Sequence, residues 1–506
     1  MLFRSGHLSL AARLPGDSEV AVGSQGRALL DQAGQVRRRS RREGRRIRYC
    51  LPPSSGTIRI RFLRGPELKV EHQASNTEMS TQSIDLRSVL SASSSAQRNL
   101  NGSVHDWYQT VLGFSDHLVA GLIGRFDLRP GQKVLDPFCG SGTTLVECMK
   151  AGLDCAGIEA NPVGVFATRV KTHWLLKPQR LLACAERAKD SYKQKLKTSD
   201  YQVDPTYRYL DATGMLKRGW ISSRPLKRAI TLKQAINEIR TAKPYRDALM
   251  LALIAEVVGA SSNVKFGPEL YCGPAKIDSP VLQGFQDRVD QMASDLELLA
   301  DLKKPQAMLC EGDSRFCHRT LGRTRRYHAV ICSPPYPTEH DYTRNTRLEL
   351  AFLERVTDVE SLRTIKKTMI RSHTKGIYKD DNDASLLSVD PILDEIVNGL
   401  RVKIQSKSHG FARLYPRVVQ EYFGGMKRHL RSVRSVLAPG AKCAYVVGDQ
   451  SSYLQVYIPT ATILATIAET VGFRVIGIEH LRGRWSTATS KVVNENILFL
   501  EWRGNL

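Results

Sequence analysis

The sequence predicts an α/β fold: a doubly wound, mostly parallel sheet of seven strands, with a helical insertion and a disordered basic tail in front. Three observations carry this reading. From about residue 115 onward, short apolar runs bounded by turn residues alternate with segments of helical period, as in successive β-α units. Residues 172–305 interrupt that rhythm with long helical periodicity. Residues 1–80 are rich in Arg, Gly and Ser and show little periodicity of either kind.

The elements follow in order. In the tail, "VRRRSRREGRRIRY" packs eight arginines between Arg37 and Arg48, and such a stretch cannot bury enough apolar surface to offset its ordering entropy. Met79 opens the more ordinary "MSTQSIDLRSVL", so an upstream choice of start is one reading of the tail. The first residues lack the apolar core and cleavage pattern of an export signal, and a disordered tail is preferred to an organelle transit peptide. In the first part of the α/β domain (81–171), "DHLVAGLIGRF" is a helix and "QKVLDPF" a buried strand. "TTLVECMKAG" is a helix closed by Gly152, "LDCAGIEA" a second strand and "GVFATRVKTHW" a second helix. The insertion (172–305) holds the helical "YRDALMLALIAEVVG" and "VLQGFQDRVDQMASDLELLADL". In the second part (306–506) strands resume at "QAMLCE" and "HAVICS", then "KCAYVVGD", "FRVIGIEH" and "ENILFLEW". The last two have no helix between them, so the final strand is expected to run antiparallel.

Composition narrows the class. A chain of 506 residues with 42% hydrophobic content buries at least one large core, and no run of about 18 apolar residues is present to span a membrane. The net charge of +24 and pI near 9.7 point to a polyanionic partner, most often nucleic acid. The ten cysteines form no C-x-x-C pair and have no His pair at zinc spacing, so neither a metal site nor a disulfide framework is expected; the pattern suits a reduced, cytoplasmic protein.

Two motifs carry chemistry. "VLDPFCGSGTT" (134–144) is a strand, a glycine turn and a helix start, which lets backbone approach a nucleotide-like ligand. No G-K-[ST] follows, so it is not a phosphate-binding loop. Glu159 ends the next strand, 23 positions after Asp136, where a carboxylate can accept both ribose hydroxyls of an adenosyl ligand. The second motif is "CSPPY" (332–336), a rigid corner directly after a strand. Alone it reads as a proline-terminated strand.

Together these motifs resemble those of the S-adenosylmethionine-dependent amino-methyltransferases of DNA, over roughly residues 105–171 and 305–502. The resemblance implies a class I methyltransferase Rossmann-like fold and S-adenosyl-L-methionine as cofactor. It implies a cofactor site at Phe114, Ser115, Asp136, Pro137, Phe138, Gly140, Gly142, Thr143, Thr144, Glu159, Asn161 and Asp313, with Asp313 at the adenine amine. Ser333, Pro334, Pro335 and Tyr336 match the catalytic tetrad.

An exocyclic base amine is a poor nucleophile because its lone pair is delocalised. Ser333 Oγ and the Pro334 carbonyl, aimed at its two N–H bonds, would favour pyramidalisation and stabilise charge, while Tyr336 stacks on the displaced base. A sulfonium donor needs no metal. Methylation at cytosine carbon 5 uses a Pro-Cys dipeptide, which is absent. Ser-Pro-Pro-Tyr is the usual tetrad of cytosine-N4 enzymes, whereas adenine-N6 enzymes usually carry Asp or Asn first. The resemblance therefore favours cytosine N4 in DNA, in a restriction–modification or phage-defence setting with a cognate restriction or defence partner. Adenine N6, an RNA substrate, or a silent binding module are the alternatives.

Around the corner, Asp341, Tyr342 and Arg344 either line the base pocket or contact phosphates, or they form the polar start of the following helix. "RSHTKGIYKDD" (371–381) reads as a flexible basic loop near the mouth, and Arg482 and Arg484, between the last two strands, as either a phosphate contact or an exposed hairpin. The motif order leaves no separate recognition domain after the tetrad. Recognition is expected from 172–305, from 338–420, or from a partner.

Overall fold

A computed structural model describes residues 103–110, 113, 115–266, 270–323, 326–405, 410–486 and 489–504. The Arg-rich tail and Phe114 lie outside these residues. The strands are β1 (Lys133–Asp136), β2 (Asp154–Glu159), β3 (Val264–Phe266), β4 (Leu270–Cys272), β5 (Ala307–Glu311), β6 (Tyr327–Cys332), β7 (Leu437–Gly448), β8 (Arg474–Ser486) and β9 (Lys491–Trp502). Seven of them form one sheet in the order β5-β2-β1-β6-β7-β9-β8. All neighbours pair in parallel except β9, which is antiparallel to both β7 and β8. This is the strand order of the class I methyltransferase fold.

The order decides where a ligand can bind. From β1 the chain steps outward through β2 to β5, then returns to place β6 on the other side of β1. The reversal opens a crevice at the carboxyl ends of β1 and β6. Register pairs Val134 with Ala329 and Leu135 with Val330, so the glycine turn and the Ser-Pro-Pro-Tyr corner leave the sheet side by side. Both strands are buried between helical layers, which explains their unbroken apolar character.

The insertion is helical as expected, with helices at Pro178–Thr198, Pro205–Ala212, Ser223–Glu238, Lys243–Glu256 and Val281–Leu298, but it also contains the small antiparallel β3–β4 ribbon. Its apolar faces join one face of the sheet in a single core: Leu249, Phe285 and Val289 cluster with Val134, Ile331 and Val446. Asp295 binds this layer to the segment before β1, accepting from Trp107 Nε1 at 2.7 Å and from the Val104 amide at 2.8 Å. A second core on the opposite face gathers Leu135, Val330, Phe423 and Leu464.

Two sequence expectations are corrected. Residues 371–381 do not form a loose basic loop: Arg371, Ser372, His373 and Thr374 are buried. Arg371 holds Asp381 through Nε at 2.9 Å and Nη2 at 2.7 Å, and also reaches the Lys366 carbonyl. Arg482 and Arg484 are not in a turn; they lie within β8, paired with Glu495 and Val493 of β9. In the first case the composition showed polarity, while the packing that buries Arg371 is set by the folded segment; in the second, Arg482 stays exposed on the strand and Arg484 is half-buried.

Candidate active site

The turn after β1 is built by glycines. Gly140 and Gly142 have φ of 52° and 87°, in the left-handed region. A Cβ on Gly142 would also stand 2.8 Å from Thr168 Cγ2. The turn is clamped to β2 and to the helix after it: the Gly140 amide donates to Glu159 Oε2 at 2.8 Å, and Thr168 Oγ1 donates to the Gly140 carbonyl at 2.9 Å. Asn161 caps the helix Pro162–Lys171 by accepting from the Val163 amide, and its amide nitrogen donates to Thr346 Oγ1 at 2.9 Å. Gly164 lets this helix approach, since a Cβ there would meet the Gly140 carbonyl oxygen at 2.7 Å.

One cavity of about 770 Å³ spans both motifs. On its β1–β2 side it is lined by Pro137, Phe138, Gly140, Thr143, Glu159 and Asn161. Each Glu159 oxygen accepts one backbone amide, from Gly140 and Asn161, and so keeps acceptor capacity toward the cavity, as a vicinal diol requires. Burial raises its pKa. These features fit an adenosyl group. Asp136, Gly142 and Thr144 lie behind that wall and shape it. Asp136 accepts from the Phe138 amide at 2.9 Å, its Oδ2 is buried with no hydrogen bond, and burial pushes its pKa up to about 7.

Two expected cofactor contacts are placed otherwise. Ser115 is exposed at the start of the helix Asp116–Arg125 and does not line the cavity; Tyr108, Gln109 and Thr110 do. Tyr108 is held there by Lys171, which donates to its carbonyl, and by its own hydroxyl, which donates to Glu349 at 2.8 Å. The Asp313 carboxylate is taken by Arg315, whose Nη2 and Nε donate to it at 2.7 and 3.0 Å; Gly312 and Ser314, not Asp313, line the cavity.

On the β6 side the cavity is lined by Ser333, Pro334, Pro335 and Tyr336. The corner is braced from three directions. Tyr422 donates to the Pro335 carbonyl at 2.8 Å, the Tyr336 amide donates to Tyr342 Oη at 3.0 Å, and Tyr336 Oη donates to Glu495 Oε1 at 3.0 Å. Ser333 Oγ lies 3.4 Å from Tyr336 Oη, a weak contact that leaves the hydroxyl available to a ligand. Burial, then the Glu495 charge, raises the Tyr336 phenol well above its ordinary pKa, so it stays a neutral donor. Glu495 is itself buried, paired with Arg482.

The neighbouring residues divide between the two readings. Asp341 caps the turn Tyr342–Asn345 and binds Lys366 at 2.6 Å; burial opposes its charge, but Lys366 and His373 outweigh it and hold the pKa down to about 2. Tyr342 lines the cavity, and Arg344 donates to the Leu270 carbonyl. Sequence reading missed Glu495, Tyr422 and Tyr108. Glu495 left a trace: "NEN" places polar residues within β9, directly before its apolar run. Elsewhere, His105, Asp116 and Glu147 bring donor atoms within 4.8 Å of one another, but Lys150 Nζ stands 2.8 Å from Glu147 and supplies the positive charge there.

Comparison with known proteins bears on this geometry. Residues 76–165 match the family model N6_N4_Mtase, described as DNA methylase. Type II methyltransferase M.BsoBI of Geobacillus stearothermophilus is 23% identical over 470 residues, covering 84% of this chain and 88% of its own. Type II methyltransferase M.AvaI of Nostoc sp. is 26% identical over 406 residues, covering 75% of this chain and 81% of its own. The rRNA methyltransferase aviRa from Streptomyces viridochromogenes superposes with a TM-score of 0.29 at 11% identity, covering 80% of this chain and 92% of its own. The family match runs through the glycine turn to the second helix, and both relatives align over most of their own length; in these respects the chain is similar to the DNA amino-methyltransferases, enzymes that take their methyl group from S-adenosylmethionine.

Proposed function

We propose that the enzyme methylates the N4 amine of cytosine in DNA, as the modifying half of a restriction–modification or defence system. The observation that carries this reading is the single cavity joining Glu159 to Ser333 across the switch point. Bound S-adenosylmethionine supplies an electrophilic methyl group. The chain's residues do the rest. Glu159, Asn161 and the Gly140 turn hold the adenosyl end, with Pro137, Phe138 and Thr143 completing the wall. Ser333 Oγ and the Pro334 carbonyl accept from the two amine N–H bonds and so favour the pyramidal, nucleophilic nitrogen. Pro335, gripped by Tyr422, keeps the corner rigid, and Tyr336, anchored by Glu495, offers its ring to the extruded base. Stacking offsets part of the unpairing cost, a few kcal/mol. Serine as the first residue of the tetrad supports cytosine over adenine. In this reading the insertion, residues 338–420 or a partner read the target sequence, and a cognate nuclease is the partner that the relatives' Type II names suggest.

Long-read sequencing of DNA from cells expressing the protein tests this directly, with Ser333→Ala and Tyr336→Ala as controls. N4-methylcytosine at one recurring sequence, absent from both controls, is the expected result. N6-methyladenine at that sequence would overturn the choice of base. Methyl label in RNA with unmodified DNA would overturn the choice of substrate.

A further inference from the structure

Arg484 stands apart from the other cations near the tetrad. It projects from β8 into the same cavity as Ser333 and Tyr336, with its guanidinium carbon 5.1 Å from the centroid of the Tyr336 ring. Its contacts are loose. Nη2 reaches the Asp449 carbonyl only at 3.5 Å, Nε is 3.6 Å from Glu495 Oε1, and that Nε is enclosed without making a hydrogen bond. Arg484 is not needed to neutralise Glu495, because Arg482 already forms a short ion pair with it. Space is nevertheless made for it: a Cβ on Gly448 would stand 2.1 Å from Arg484 Nη2 and 2.9 Å from Tyr336 Cε2. A buried donor without an acceptor costs about 1–3 kcal/mol unless something else completes it.

We propose that Arg484 is a specificity-determining residue that donates hydrogen bonds to the target base, reading the ring nitrogen and the C2 carbonyl beside the amine of cytosine. This inference rests on the cytosine reading above. The two candidate bases differ at that place. Next to its amine, cytosine presents a ring nitrogen and then a carbonyl, both acceptors. Adenine presents a ring nitrogen and then a C–H. With the amine held between Ser333 Oγ and the Pro334 carbonyl and the ring on Tyr336, a guanidinium beside that ring meets two acceptors in cytosine and one in adenine. A site that hydrogen-bonds its substrate rejects an analogue lacking the group by as much as about 10⁴–10⁵-fold.

The test uses the full-length enzyme and a duplex carrying the sequence found by long-read sequencing. The target is either cytosine or 2-amino-5-deoxyribosylpyridine, which keeps the amine and ring nitrogen but has C–H in place of the carbonyl. Single-turnover methyl transfer is measured at saturating duplex for wild type and Arg484→Met, a change that keeps the stem and removes the donors. Wild type is expected to prefer cytosine by about 10²-fold or more, and Arg484→Met to lose that preference by slowing on cytosine alone. Unchanged S-adenosylmethionine affinity in calorimetry confirms an intact fold. A variant that keeps the preference overturns the inference. So does one that is weakened only in duplex affinity and its salt dependence, the signature of a phosphate contact. If the wild-type enzyme methylates adenine, the base assignment fails by itself, before any variant is made.

Discussion

Asp136 concentrates the electrostatic cost of the glycine turn in one side chain. It is almost fully buried, half of its carboxylate has no hydrogen bond, and burial, with Glu159 nearby, lifts its pKa from 3.8 to about 7. For an acid with a raised pKa, the stabilising form is the protonated one. Its contribution is complete below the unfolded value near 3.8 and is lost as pH rises through 7. Asp136→Asn cannot ionise. Its cofactor-free form is therefore expected to match wild type near pH 4 and to become more stable by pH 8, by about 1.4 kcal/mol per unit of displacement, in thermal denaturation. The same variant is expected to bind S-adenosylmethionine more weakly in calorimetry, because the carboxylate organises the turn through the Phe138 amide. Equal stability at pH 8 would mean that the charge is held at no cost. Asp136 was legible in the sequence because a strand–Asp–Pro–glycine pattern is local. Asp313 was less so: Arg315 and Asp383, the latter far along the chain, decide what its carboxylate faces.

The elements around the cavity are held by close backbone approach and by buried ion pairs. The helix Pro162–Lys171 reaches the Gly140 turn because Gly164 has no side chain, and Gly164→Ala drives a Cβ against a backbone carbonyl that cannot step aside. Cofactor affinity is expected to fall at least about tenfold, equivalent to roughly 1.4 kcal/mol, by calorimetry. The segment 366–376 covers the other side of the cavity. Arg371 and Asp381, both nearly buried, tie it down, and burial lowers the His373 pKa to about 4, keeping that imidazole neutral. Arg371→Ala leaves Asp381 buried without its partner, a loss of about 3–5 kcal/mol. Limited proteolysis should then cut within 366–381 well before the rest of the domain; an unchanged digestion pattern would show that the pair does not hold the segment. A strand or a capped helix can be read from ten residues. A polar segment cannot, because the same residues are a solvated loop or a buried latch depending on what faces them.

For the molecule as a whole, charge and topology matter most. A net charge of +24 opposite a phosphate backbone makes affinity salt-dependent through counterion release. Duplex binding by the full chain is expected to weaken on the order of 10³-fold between 50 and 200 mM salt, measured by fluorescence anisotropy. A flat salt response would remove the electrostatic reading of the composition. The insertion is the other feature at this scale. Its helices complete the core on one face of the sheet, so any role in recognising sequence is performed by a part of the fold's own foundation. No helix among the described residues is long and apolar enough to cross a membrane.

By itself the sequence determined the seven strands, the antiparallel last strand, the helical insertion and the two motifs, because each depends on periodicity or turn chemistry within a short span. Only the tertiary structure decided that Tyr336 is anchored by Glu495, 159 residues away, and that Pro335 is gripped by Tyr422. It alone placed Tyr108 rather than Ser115 at the cavity and left the Arg484 guanidinium under-bonded beside Tyr336. The physical reason is one of range. Backbone conformation is set by neighbours along the chain, whereas a buried polar side chain is defined by the partner that satisfies it, and sheet order chooses that partner.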